Sequence, residues 1–162
     1  MSQDDWYDVM QVCTNGHEIT AFAVSQPSSR RPFCESCGAE TILTCPTCNR
    51  PLRGYRHISG VVGLFDTSVP PYCADCGSPY PWQQSRMTNV VQVLQEAHVS
   101  EADLEIVTSL LPDISRETPK TDIASLKVRA IINRISDEQM RKVVVKAITR
   151  IASESAIETM SL

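Results

Sequence analysis

Past residue 85 the apolar residues recur every three or four positions; before it they do not. That spacing predicts four helices in the later part of the chain. The first runs from about Arg86 to His98, with Val90, Val91, Leu94 and Ala97 on one face. Ser100, with Asp103 three residues on, reads as the N-cap of the second, which buries Val107, Leu110 and Leu111 and is stopped by Pro112. The third spans about Asp122 to Ile135 and carries the stripe Ala124, Val128, Ile131, Ile132 and Ile135. Ser136 and Gln139 suit a capping box for the last, which buries Met140, Val144, Ala147, Ile148 and Ile151. Short loops between amphipathic helices predict a small bundle with antiparallel neighbours.

The earlier part is built differently. It is rich in Cys, Gly and Pro, with short β-type stretches, and Ser78-Pro-Tyr-Pro-Trp-Gln-Gln-Ser85 closes it with two prolines and no periodicity. Domain boundaries at 1–84 and 85–162 follow. So many turn residues in so short a stretch cannot bury much apolar surface, so something besides a core must hold it together. The expected fold class is α+β, small β-hairpins followed by a small helical bundle.

All seven cysteines lie between positions 13 and 76, and six of them form three Cys-x-x-Cys pairs. The odd count and the lack of a secretory signal at the start point away from disulfides and toward metal. Two ligands on a tight turn can face one ion, and such a turn favours a residue that tolerates positive φ just after the second ligand. Gly38 follows Cys37, Asn49 follows Cys48 and Gly77 follows Cys76. Cys13-Thr-Asn-Gly-His17 supplies a fourth pair through its Asn-Gly turn. Eight ligands make two closed structural Zn²⁺ sites: Cys13, His17, Cys34 and Cys37, then Cys45, Cys48, Cys73 and Cys76. His57 or water is the other option for the position given to His17. A cross-brace, in which alternate pairs share an ion, is the alternative grouping. The histidine in the first pair and the seven residues between Cys37 and Cys45 favour successive ribbons.

Residues 50–65 read as a strand, a Ser59-Gly60 turn and a second, apolar strand. Val61, Val62, Leu64 and Phe65 are a candidate docking patch. Arg53, Tyr55, Arg56 and His57, with Trp82, form a candidate basic-aromatic surface, weighed against a role in covering the ribbons. On the last helices Lys142, Lys146 and Arg150, with Lys127 and Arg134, face away from the buried stripes.

Charge narrows the partners. The formal net charge is −4, and seven thiolates with two Zn²⁺ take it to about −7. The whole molecule is therefore no generic polyanion binder, although residues 120–150 hold eight Lys or Arg against three acids. No serine nucleophile motif or carboxylate pair stands beside His57, and closed sites leave no position for activated water, so no catalytic residue is assigned. With no apolar run near the roughly 18 residues of a spanning helix, the expectation is a cytoplasmic, non-enzymatic module docking onto a protein. A nucleic-acid binder and a RING-like ligase scaffold are the alternatives. Oligomeric state is left open.

Several stretches resemble a widespread bacterial family of uncharacterised zinc-ribbon proteins, a domain of unknown function. They are Val12-Cys-Thr-Asn-Gly-His17, Phe33-Cys-Glu-Ser-Cys-Gly38, Cys45-Pro-Thr-Cys48, Pro51-Leu-Arg-Gly-Tyr-Arg-His57, Cys73-Ala-Asp-Cys-Gly77 and Pro79-Tyr-Pro-Trp82. Leu111-Pro-Asp-Ile114 and Thr118-Pro-Lys-Thr121 are similar as well. The resemblance implies a bacterial cytoplasmic protein with ribbon ligands at the matching Cys and His positions. It implies no particular activity.

Overall fold

A computed structural model of the chain describes residues 5–61, 63 and 67–161. It divides into two compact units, residues 1–84 and 85–162.

The first unit is built from small antiparallel sheets. One pairs β1 (Trp6–Val9) with β5 (Arg53–His57), placing Trp6 opposite His57 and Tyr7 opposite Arg56. The other has the order β3-β2-β4, with β2 (Gln11–Cys13) between β3 (Glu18–Thr20) and β4 (Thr41–Ile42). The strand expected before the Ser59-Gly60 turn is present as β5, but its partner is β1. The second strand predicted after Ser59-Gly60 falls largely on Val62, Leu64 and Phe65, outside the described residues, as does most of the docking patch proposed there.

A small core fills the unit: Met10, Val12, Ala21, Leu52, Tyr80 and Trp82, joined by Cys45 and Cys73. Trp82 is 1% exposed, stacks on Tyr80 and donates its indole N–H to the Pro70 carbonyl at 3.0 Å. It therefore does not belong to the binding surface suggested from sequence. A core this small gains much from an indole inside it, where a buried aromatic of 150–250 Å² contributes several kcal/mol.

The second unit is helical. Among the described residues the helices are α1 (Pro81–Glu96, its first turn in the first unit), α2 (Glu101–Ile114), α3 (Thr121–Ile132), α4 (Glu138–Thr149) and α5 (Glu154–Met160). Apolar residues from all five share one core, from Val90 and Leu94 to Ala156 and Met160. The predicted stripe Ala124, Val128, Ile131, Ile132 and Ile135 is buried in full.

Several boundaries differ from the sequence reading: α3 ends at Ile132 and α4 at Thr149, short of the expected Ile135 and Ile151, and three others differ for a local reason. α1 begins at Pro81 and not near Arg86, because proline at the first helical position gives up an N–H that has no partner there anyway. Pro112 does not stop α2, which continues to Ile114. It lies in the last turn on the exposed face, so the carbonyl it leaves unbonded is open to water. The cap of α4 is Asp137, whose carboxylate accepts from Met140 N–H at 2.9 Å, one residue beyond the predicted Ser136. α5 is additional to the predicted four, and Ser153 caps it by accepting from Ala156 N–H.

Candidate metal centres

Each ligand pair sits on a turn that its own sequence closes. Cys34 N–H bonds the Ala39 carbonyl at 2.9 Å and Gly38 N–H returns to the Cys34 carbonyl at 2.8 Å. Cys45 repeats this with Arg50 and Asn49, and Cys73 with Ser78 and Gly77. Single β-bridges flank these turns at Phe33 with Glu40, Thr44 with Pro51 and Tyr72 with Pro79. The residue after each second cysteine is left-handed, with φ of 71° at Gly38, 59° at Asn49 and 70° at Gly77. In the first pair Gly16 takes φ 88° and its N–H bonds the Cys13 carbonyl, bringing His17 back over Cys13. A Cβ on Gly16 would stand 2.9 Å from Trp82, so the turn rests directly on the core indole.

Among the described residues two groups bring four ligand atoms within 4.8 Å of one another: Cys13, His17, Cys34 and Cys37, and Cys45, Cys48, Cys73 and Cys76. A tetrahedron of sulfurs about 2.3 Å from a central ion has edges of about 3.8 Å. The observed edges are 3.8 Å for Cys13 to Cys37, 3.8 Å for Cys45 to Cys76 and 3.7 Å for Cys48 to Cys73. His17 Nδ1 lies 3.6 Å from both Cys13 and Cys34, the shorter edge expected of a nitrogen ligand. Both groups thus fit a tetrahedral zinc site. The pairs combine in chain order, so the cross-braced grouping weighed from sequence does not occur, and His17, not His57, completes the first group.

The electrostatics also call for a cation. In the second group burial raises the Cys73 thiol, but N–H bonds from Asp75 and Cys76 and the Tyr80 hydroxyl bring it down to about 6. At Cys48 the Arg50 N–H favours the thiolate, yet burial and three crowding thiols push it up to about 12. Four sulfurs this close cannot all ionise alone, and a divalent cation removes the conflict. In the first group the Ala39 N–H and the Asn15 amide lower Cys37 to about 6. The Asn15 amide nitrogen is 3.4 Å from that sulfur, and His17 N–H donates to Cys13 Sγ at 3.2 Å.

The remaining residues singled out from sequence lie apart from these ligands. Arg53 pairs with Asp75 at 3.7 Å and Arg56 with Asp5 at 3.5 Å, and both guanidiniums lie over the Tyr7 ring. Tyr55 packs on Phe22. His57 stacks on Trp6 at 4.2 Å and bonds through Nε2 to Asp8 Oδ2 at 3.2 Å. Asp8 is the residue that sequence reasoning missed. Burial alone would raise its carboxyl. The Ser25 hydroxyl, the N–H groups of Val24 and Val9, and His57 outweigh burial and hold it at about 2. Nothing distinguished it from Asp4 and Asp5 beyond its place inside an alternating strand. Lys142 and Lys146 line a groove with Arg129 and Arg141, while Arg150 is the exposed C-cap of α4.

No helix among the described residues is long and apolar enough to cross a membrane. The model of a family described as uncharacterized protein conserved in bacteria (DUF2321) matches residues 6–160. No curated protein and no solved structure matches the chain. The matched span takes in both candidate metal centres and nearly all of the helical unit, and the chain belongs to this bacterial family.

Proposed function

We propose that the protein is a zinc-dependent, non-enzymatic adaptor of the bacterial cytoplasm. Two structural Zn²⁺ ions rigidify the first unit, which docks onto a protein partner. The observation that carries the zinc assignment is two groups of four protein ligands, all within 4.8 Å of one another and with S–S and S–N distances of 3.6–3.8 Å among them. A zinc with four protein ligands has no position for substrate or activated water, which supports a structural role.

The docking reading draws on the exposed aromatics of the first unit: Trp6 at 43%, Tyr7 at 49% and Phe33 at 56%. Aromatic residues are enriched at protein interfaces. A nucleic-acid surface has less support, because both arginines on β5 already face carboxylates. A photo-crosslinking residue at Phe33 or Trp6, tested in the native host, is expected to trap one defined protein. A control at exposed Glu105 is expected to trap none. Nucleic acid in the crosslinked product, with a steep salt dependence of binding, would reverse the choice of partner.

A further inference from the structure

The connection from α3 to α4 is short, yet these helices meet at only a few positions, whereas α3 packs along both α2 and α5. A groove of about 520 Å³ lies there, bordered by the last turn of α5. Ile132, Val145 and Met160 form its apolar floor. Its walls carry Arg129, Arg141, Lys142 and Lys146 against a single acid among the described residues, Glu138. That acid is already engaged by Lys142 Nζ at 2.8 Å. Arg129 gives one N–H to the Thr159 carbonyl at 3.3 Å, and the Arg141 guanidinium has no partner among the described residues.

Both arginines are half-buried. An exposed lysine is satisfied by water, but a half-buried guanidinium keeps its charge while losing part of its hydration, so it is stabilised by an anion. The apolar floor calls for a different moiety beside that anion. We infer that the groove binds an anionic amphiphile, its phosphate or carboxylate head on Arg129 and Arg141 and its aliphatic part along Ile132, Val145 and Met160. The volume lies within the range of small-molecule sites. No aromatic side chain among the described residues lines the groove, so a nucleobase finds nothing to stack on. The site lies wholly within the helical unit and does not depend on the zinc assignment.

The test uses the full-length, zinc-loaded protein and calorimetric titration with dodecyl phosphate below its micelle concentration. One-to-one binding is expected, at least tenfold tighter than that of inorganic phosphate, and Arg141→Gln and Arg129→Gln each weaken it about tenfold. Arg129 also holds the end of α5, whereas the Arg141 side chain makes no bond among the described residues. Arg141→Gln is therefore the decisive variant, with an unchanged helical circular dichroism spectrum as its control. Vesicles of phosphatidylcholine with and without phosphatidylglycerol identify the source. Arginine-dependent binding to the anionic vesicles assigns the head to a membrane lipid; dodecyl phosphate binding without vesicle binding assigns a free amphiphile. Absence of saturable binding, equal affinity for inorganic phosphate, or indifference to Arg141→Gln would overturn the inference.

Discussion

At the residue scale, two glycines separate crowding from conformation. A Cβ on Gly54 would stand 2.3 Å from the Ala21 carbonyl oxygen and 2.9 Å from Met10 N, atoms of packed backbone that cannot give way. Gly38 has open space around its Cβ position but a φ of 71°. Gly54→Ala is therefore expected to cost 3 kcal/mol or more, or to prevent folding, and Gly38→Ala about 1 kcal/mol. Urea denaturation with saturating zinc checks the order, and equal costs would contradict it. Asp8 gives a second expectation. A side chain with no exposed surface and at least four hydrogen-bond partners loses much when its charge is removed, so Asp8→Asn should cost on the order of 2 kcal/mol at pH 7. Neither residue was assigned from sequence: the glycine's crowding comes from a loop 33 positions away, and the carboxylate's burial from a strand pairing that no local pattern announces. The eight ligands were legible because metal spacing and turn chemistry are both local.

At the element scale, α1 ends with His98 at φ 54°, while Val99 N–H reaches back to the Leu94 carbonyl at 3.2 Å. This is a left-handed helix stop at a position where glycine is the usual occupant. His98→Gly is expected to stabilise the helical unit by about 0.5–1 kcal/mol, seen as a higher melting temperature; a lower one would contradict this geometry. The tether of α5 carries a pH signature. The Ser155 hydroxyl bonds the Glu117 carboxylate at 2.6 Å and lowers its pKa below the ordinary 4.5. A carboxyl depressed in the folded state adds stability above its unfolded pKa, and that stability disappears as pH falls through the folded one. Glu117→Gln should therefore lower the helical melting temperature at pH 7, and the difference should shrink as pH falls below 4.5. The long helices could be read from periodicity, and α2 from its Ser100 cap. α5 has seven residues, too few for a periodic signal, and α1 begins at a proline that reads from sequence as a break.

At the scale of the whole molecule, the two units are held by different physics. The helical unit has a continuous apolar core. The first unit has a handful of buried side chains, and zinc supplies folding free energy on the order of 10 kcal/mol per site. Chelation should accordingly unfold residues 10–80, exposing them to protease, while most of the far-ultraviolet helical signal survives. Cooperative loss of both signals would contradict this division of stability. The most direct test of the central claim is zinc X-ray absorption of the protein as purified from its host, with total metal quantified. Two zincs per chain are expected, their shells together holding seven sulfurs near 2.3 Å and one nitrogen near 2.0 Å. A shell dominated by oxygen and nitrogen, or a compact protein without zinc, would contradict it.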